Sequence, residues 1–195
     1  MQLHAAPSFR LDGKRALVSG AGRGIGLAAA SALADSGAQV TLLSRTATEV
    51  EEAASAIRAR GQSAATLVLD VTDLPVMQAA IAKAAPFNIL INNAGTNRPK
   101  PLLDVTIEDY DAIMGLNVRA AYFVAQAVAR RLIDAKQSGS IINISSQMGH
   151  VGAARRTVYC ASKHAMEGFS GHAEQANVRV RRYGGRNVPY AQAAE

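Results

Sequence analysis

A tyrosine and a lysine stand four residues apart in the stretch Tyr159-Cys-Ala-Ser-Lys163. Side chains at this spacing lie on the same face of a helix. A free tyrosine has a pKa of about 10, but a neighbouring ammonium group favours the phenolate and lowers that pKa. The pair therefore indicates general acid–base catalysis, in which Tyr159 exchanges a proton with a substrate. The alternative is the ordinary start of an amphipathic helix.

A glycine-rich stretch lies near the start of the chain and reads Ser19-Gly20-Ala-Gly22-Arg-Gly24-Ile-Gly26. Glycine lets the backbone turn sharply and lets a phosphate approach it. The stretch follows a predicted strand and opens a predicted helix, whose free N–H groups favour an anion. We therefore expect it to bind the phosphates of a dinucleotide; the alternative is a tight connection without a ligand.

Short apolar runs alternate with amphipathic stretches along most of the chain. The apolar runs predict strands over 15–19, 39–43, 64–69, 89–91 and 140–144, with helices between them and a further helix beginning near Tyr159. This alternation is typical of an α/β protein with a doubly wound parallel sheet, in which ligands bind beyond the carboxyl ends of the strands. The glycine turn, Ser44-Arg45, Asp70 and the loops after 91 and 144 should therefore share one edge.

Two helix starts carry the spacing of a capping box. Thr46 precedes Glu49, and Thr106 precedes Asp109, by three residues each. The second of these begins a long helix. Its apolar stripe is expected to contain Val118, Ala121, Tyr122, Ala125, Val128 and Leu132.

Three motifs in chain order resemble the short-chain dehydrogenase/reductase family: Gly20, Gly24 and Gly26, then Asn92-Asn-Ala-Gly95, then the Tyr159–Lys163 pair. The resemblance runs from about Leu11 to Phe169 and implies a Rossmann-type fold. It also implies that Ser146, rather than its neighbour Ser145, orients a substrate carbonyl. It further implies that Asn117 supports a water-linked proton relay to Lys163, and that Lys163 holds the nicotinamide ribose.

The second strand ends in Ser44-Arg45, where an acid would bind the ribose 2′-hydroxyl of NAD. Arg45, together with Arg23, is suited to a 2′-phosphate, so we expect NADP rather than NAD; the alternative leaves both arginines in solvent. The resemblance places Asp70 at the adenine, whereas a helix cap is its structural alternative. The expected cofactor-binding residues are Gly20, Gly22, Arg23, Gly24, Ile25, Gly26, Ser44, Arg45, Asp70, Val71, Asn93, Ala94, Gly95, Tyr159 and Lys163.

The motifs together predict an NADP-dependent oxidoreductase that transfers a hydride between the nicotinamide and a secondary alcohol or ketone. The alternative is a truncated, inactive member of the family that binds only a dinucleotide or a partner subunit. The resemblance implies a homodimer or homotetramer that pairs through the long helix and the helix of Tyr159.

Composition excludes several other classes of protein. With 49% hydrophobic and 18% charged residues, the chain does not have the composition of a disordered protein. The net charge of +6 comes without interleaved aromatic and basic residues, so we expect no nucleic-acid partner. We expect no membrane span, and no metal site because His150 and His164 lack companions at ligand spacing. The single cysteine, Cys160, suggests a reducing, cytoplasmic location.

The sequence departs from the family pattern after about Ser170. It becomes rich in arginine and glycine, and the expected proline–glycine turn is missing. We therefore divide the chain into a dinucleotide-binding domain over 1–170 and an atypical, disordered tail over 171–195, with C-terminal strands missing or altered. A strand near 177–180 is the one element that the tail could form. A shifted reading frame, a truncated gene and a genuine alternative C-terminus would each explain this departure.

Overall fold

In the part of the chain that the structure describes, six parallel strands form the centre of the fold. A computed structural model describes residues 8–171 and 178–183 of the chain. The strands are β1 (Arg15–Ser19), β2 (Gln39–Ser44), β3 (Ala64–Val68), β4 (Ile89–Asn92), β5 (Gly139–Ile144) and β6 (Val178–Tyr183). They lie in the order β3-β2-β1-β4-β5-β6, and every neighbouring pair is parallel. The predicted α/β class and doubly wound parallel sheet are confirmed.

Within the described residues, six α-helices connect the strands and cover the sheet. They are α1 (Gly24–Asp35), α2 (Ala47–Arg58), α3 (Leu74–Lys83), α4 (Ile107–Met114), α5 (Ala121–Asp134) and α6 (Thr157–Gly171). One buried cluster joins Leu17 and Leu90 of the sheet to Val128 of α5. A second joins Val18 and Leu42 to α1 and α2. Because successive strand residues point to opposite faces, β1 contributes to both clusters.

The long helix predicted after Thr106 is interrupted. Between α4 and α5 the backbone forms a π-helical stretch over Gly115–Ala120. A π turn holds more residues than an α turn and therefore shifts the face that follows it. Within α5, Ala121, Val128 and Leu132 of the predicted stripe are buried and Tyr122 is 46% exposed, while Val124, which was not assigned to the stripe, is fully buried.

The run from Ile107 to Asp134 is long and apolar enough to cross a membrane by length and composition alone. Helices in protein cores meet the same criterion. Here Val124, Val128 and Leu132 are buried in a cluster that includes residues of the sheet and of α3. The run is therefore packed as a core helix of the α/β fold.

Strand β6 lies within the segment that the sequence predicted to be a disordered tail. It pairs with β5 from Gly139↔Val178 to Ile144↔Tyr183. The strand differs from the disorder expected there, because backbone hydrogen bonds to β5 offset the entropy of ordering it. It overlaps the predicted strand near 177–180. The rest of the tail, 172–177 and 184–195, lies outside the described residues, and the domain boundary at residue 170 stays a prediction.

Candidate active site

The glycine turn between β1 and α1 has a backbone that side chains would disrupt. Gly20 has a φ of +64°, in the left-handed region that favours glycine. A Cβ at Gly26 would overlap the Gly20 carbonyl oxygen and lie 2.6 Å from Asn93 Nδ2. Arg23 stands at the N-cap of α1 and makes no capping hydrogen bond with its side chain. The helix N-terminus therefore keeps N–H groups that suit a phosphate.

Ser19 and Asn93 join the glycine turn to the end of β4. The Ser19 hydroxyl accepts hydrogen bonds from the backbone N–H groups of Asn93, at 3.0 Å, and Ala94, at 3.1 Å. It donates one to Asn92 Oδ1. Asn93 Nδ2 donates to the carbonyl oxygens of Ser19 and Gly20. These bonds hold two sequence-distant loops together; sequence reasoning did not assign Ser19 a role.

A cleft of about 370 Å³ opens at this edge of the sheet. Eleven of the predicted cofactor residues line it: Gly20, Gly22, Arg23, Ile25, Ser44, Arg45, Asp70, Val71, Asn93, Ala94 and Gly95. Gly24 and Gly26 shape the turn but are not part of the lining, and Tyr159 and Lys163 lie elsewhere. Leu43, Thr46, Glu49, Leu69 and Leu116 also line the cleft and were not predicted. The open helix N-terminus and the glycine-rich turn fit a dinucleotide.

Arg45 and Asp70 face each other across the cleft wall. Arg45 Nη1 lies 3.4 Å from Asp70 Oδ2. Burial acts to raise the pKa of Asp70, but hydrogen bonds from Thr72 and the Arg45 guanidinium outweigh it and lower that pKa. The alternative interpretation of Asp70 as a helix cap is wrong, because Asp73 caps α3 by accepting from the Val76 N–H.

Glu49 lies in the cleft instead of capping its helix. Thr46 is the N-cap of α2, but its side chain makes no capping bond, so this predicted capping box is wrong. A Cβ at Gly22 would lie 2.9 Å from both Cβ and Oε2 of Glu49, so the glycine leaves room for this side chain. The capping box predicted at Thr106 and Asp109, in contrast, is present at the start of α4.

Lys163 is held beneath the ring of Tyr159 on α6. Its side chain is buried, and its Nζ donates a 2.8 Å hydrogen bond to the Ile144 carbonyl oxygen. The same nitrogen lies 5.8 Å from the centre of the Tyr159 ring. Burial lowers the pKa of Lys163 to about 8, against the opposing effect of the Glu167 carboxylate. The structure therefore brings the two predicted residues together as an ammonium–phenol pair.

Asn117 lies in the π-helical stretch and is fully buried. Its Oδ1 accepts from the Thr96 N–H at 2.8 Å, and its Nδ2 donates to the Thr96 carbonyl oxygen at 2.9 Å. Nδ2 also donates to Ser162 Oγ, and that hydroxyl donates to the Tyr159 carbonyl oxygen. Asn117 thus reaches α6 through Ser162, which precedes Lys163. Sequence reasoning missed Ser162, although a polar residue between the tyrosine and the lysine was visible in the motif.

Ser145 and Ser146 follow β5 and differ in their surroundings. Ser146 Oγ accepts a 3.2 Å hydrogen bond from the Met148 N–H and so caps a short 3-10 turn over Gln147–Gly149. Within the described part of the chain its own O–H has no acceptor, which leaves it available to a ligand. Ser145 is buried, and its Oγ has no partner among the same residues. The choice of Ser146 over Ser145 stays a prediction.

Comparison with known proteins gives a consistent result. The sequence model described as short chain dehydrogenase matches residues 14–181. The chain belongs to the short-chain dehydrogenase family. Its relatives in that family include a D-erythrulose reductase from Gallus gallus, 41% identical over 84% of this chain and 65% of the relative. A gluconate 5-dehydrogenase from Gluconobacter oxydans (strain 621H) is 42% identical over 83% and 64%.

A solved structure from the same family superposes over most of the chain. It is the gluconate 5-dehydrogenase from Burkholderia cenocepacia J2315 in complex with NADP and tartrate, with a TM-score of 0.85 and 34% identity. The match covers 91% of this chain and 72% of that one. The chain spans slightly less than two thirds of the length of the curated relatives named above.

No group of three or more His, Cys, Asp or Glu side chains suited to a metal ion occurs in residues 8–171 and 178–183. The candidate site has two parts, the glycine cleft and the Tyr159–Lys163 pair. The two parts are connected, because a Cβ at Gly95 in the cleft wall would lie 3.2 Å from Asn117 Oδ1.

Proposed function

We propose that this chain is an NADP-dependent oxidoreductase that interconverts a secondary alcohol and a ketone. The observation that carries the proposal is the buried ammonium group of Lys163, 5.8 Å from the Tyr159 ring, at the same sheet edge as the glycine cleft. A dinucleotide cleft alone would support binding. A tyrosine with an adjacent buried lysine adds a group able to move a proton.

Each candidate side chain has a role in this proposal. Bound NADPH supplies the hydride for the carbonyl carbon. Tyr159 donates its phenolic proton to the carbonyl oxygen during reduction and takes it back during oxidation. Ser146 donates a hydrogen bond to the same oxygen and fixes its position. Lys163 places its buried ammonium group 5.8 Å from the centre of the Tyr159 ring, and Asn117 holds the segment that contains Thr96 against α6.

The preference for NADP is supported by charge. Arg23 and Arg45 both line the cleft, and no acid follows β2 directly. Guanidinium groups form strong, charge-assisted bonds to phosphate. NADP is also the dinucleotide named with the Burkholderia cenocepacia enzyme.

We propose a sugar-derived polyol or its keto form as the substrate. The relatives named above are an erythrulose reductase and a gluconate dehydrogenase, whose names both refer to polyhydroxylated carbon chains. Vicinal hydroxyl groups require polar partners. The loops over 93–100 and 145–156, which flank the site, contain Asn97, Arg98, Ser146 and Gln147 among their side chains.

NADPH oxidation tests the proposal directly. The purified chain is mixed with NADPH and, in turn, D-erythrulose, L-xylulose and 5-ketogluconate, and absorbance at the nicotinamide band is followed. We expect turnover with at least one ketone and a loss of about 10²-fold or more in Tyr159→Phe, because the proton donor is removed. Cofactor binding without turnover of any ketone, in both proteins, would support the inactive, dinucleotide-binding alternative instead.

We further propose that the chain forms a homodimer or homotetramer. Tyr122 of α5 is 46% exposed and makes an edge contact with Phe169 of α6, with ring centres 5.7 Å apart. The two helices thus share an aromatic surface. A symmetric partner that presents the same surface would cover it.

A further inference from the structure

The cleft contains acids as well as the two arginines that favour a phosphate. Among its described lining residues, Arg23 and Arg45 are cationic and Glu49 and Asp70 are anionic. The charges of these four side chains sum to zero. Carboxylates repel a phosphate, so the attraction of a 2′-phosphate does not account for Glu49 and Asp70 in the cleft lining.

The two carboxylates differ in their contacts. Asp70 accepts hydrogen bonds from the N–H and hydroxyl of Thr72 and pairs with Arg45. Glu49, by contrast, has no hydrogen bond or ion pair within residues 8–171, although it is half-buried. The described residues therefore provide no direct ion pair for Glu49, and partial burial reduces the screening of its carboxylate by water.

The position of Glu49 follows from local structure. It lies in the first turn of α2, four residues after Arg45. Its Cβ and Oε2 both approach the backbone at Gly22, where any larger residue would displace them. The carboxylate is thus held against the glycine turn, between the segments that contain Arg23 and Arg45.

We propose that Glu49 is a cofactor-selectivity residue, whose carboxylate opposes a 2′-phosphate and limits the preference for NADP that Arg23 and Arg45 create. The inference rests on the proposed use of NADP. A phosphate monoester carries close to two negative charges at neutral pH, whereas the 2′-hydroxyl of NAD carries none. The repulsion therefore acts on one cofactor only.

Binding titrations test this inference without turnover. The dissociation constants of NADPH and NADH are measured by nicotinamide fluorescence for the wild type, Glu49→Gln and Glu52→Gln. Glu52 is an exposed acid of α2 outside the cleft, so its substitution removes the same charge from the same helix. The quantity compared is the ratio of the NADH constant to the NADPH constant.

We expect Glu49→Gln to raise this ratio roughly threefold to tenfold through tighter NADPH binding, the size of a Coulomb effect across a solvated cleft. Glu52→Gln should leave the ratio within a factor of about two, since an exposed charge is screened. An unchanged or smaller ratio in Glu49→Gln would overturn the inference, as would an equal rise in both variants.

Salt separates repulsion from a structural role of Glu49. If the carboxylate acts through its charge, the difference between wild type and Glu49→Gln for NADPH shrinks as NaCl is added. A difference that persists in salt and extends to NADH would mean that Glu49 braces the turn, which also contradicts the inference. The wild-type ratio by itself tests the proposed NADP preference, so the two proposals can fail separately.

Discussion

At the scale of single residues, Lys163 carries a charge where burial opposes it. Only 5% of the residue is exposed, and the pKa of the amine falls to about 8. The hydrogen bond to the Ile144 carbonyl oxygen orients the ammonium group toward the end of β5. The placement of the Lys163 ammonium group beside the Tyr159 ring therefore lowers the free energy of unfolding.

Lys163→Met should reveal this cost as a function of pH. A lysine with a folded pKa of about 8 and an unfolded pKa of 10.5 binds more protons when unfolded, so wild-type stability rises with pH between these values. The stability of Lys163→Met relative to wild type should be highest below about pH 8. It should then decline by on the order of 1–3 kcal/mol toward pH 10.5.

Urea unfolding at a series of pH values measures this difference. Lys83→Met is the matched control, because Lys83 is exposed on α3. Its stability relative to wild type should not decline between pH 8 and 10.5. A relative stability of Lys163→Met that stays constant from pH 8 to 10.5 would contradict the buried-ammonium interpretation.

Arg45→Gln should change cofactor choice without changing stability. The Arg45 side chain is 72% exposed, so its pair with Asp70 contributes little to folding. A charge-assisted hydrogen bond to a 2′-phosphate is worth about 1.5–3 kcal/mol, so NADPH binding should weaken by roughly 10- to 100-fold. Calorimetric titration should show NADH binding within about threefold of wild type. Arg60→Gln, on an exposed arginine outside the cleft, should change neither constant.

At the scale of elements, the glycine turn depends on the absence of a Cβ atom at its glycine positions. The position of Gly26 is bounded by the Gly20 carbonyl oxygen and by Asn93 Nδ2. That amide also ties the turn to β4 through Ser19 and Gly20. A side chain at Gly26 would therefore disturb the first turn of α1 and the wall of the cleft together.

Gly26→Ala should abolish measurable binding of either dinucleotide and lower the melting temperature by several degrees, because the backbone of the turn cannot move aside. Gly115→Ala is the matched control. It is a helical glycine with no heavy atom within 4 Å of an added Cβ, and the change should leave binding intact. Dinucleotide binding by Gly26→Ala at wild-type affinity would show that the turn relaxes more readily than its contacts indicate.

The elements also show which features of the fold sequence spacing can predict. Thr106 and Asp109 form the capping box that their spacing indicates, whereas Thr46 and Glu49 have the same spacing and form none. The two helix starts differ because Glu49 lies in the cleft, and the spacing of neighbouring residues gives no information about such a tertiary position. The π-helical stretch around Asn117 could not be predicted either, because the residues before and after it follow ordinary helical periodicity.

At the scale of the whole molecule, the parallel sheet and the gathering of loops at one edge were predictable from the alternation of strands and helices, whereas the order of the strands was not predicted. Eleven of the cleft residues came from motifs, because glycine turns and strand ends have recognisable compositions, and five others were not predicted. The residues that sequence reasoning missed, such as Ser19, Glu49 and Ser162, act through partners 45 to 75 positions away or through space beside a glycine. Their roles depend on tertiary contacts.

Association should depend on the aromatic surface of α5 and α6. Light scattering at micromolar concentration should give a dimer or tetramer, and Tyr122→Glu should shift the mass toward the monomer because it places a charge in an apolar contact. Val76→Glu, on an exposed valine of α3, is the matched control and should keep the wild-type mass. A clean wild-type monomer would exclude this mode of assembly.

The bonds from Ser19 to the end of β4 have a kinetic consequence. They join residues 73 to 75 positions apart, so β1 can pair with β4 only when the long segment between them closes into a loop. Closing so large a loop is slow compared with the local pairing of β1, β2 and β3. A partly folded chain would therefore have the glycine turn while lacking the opposite wall of the cleft. A ligand that fills the cleft binds only the chain in which β1 and β4 are paired. By mass action, a higher ligand concentration therefore lowers the fraction of molecules in which these two strands are separated.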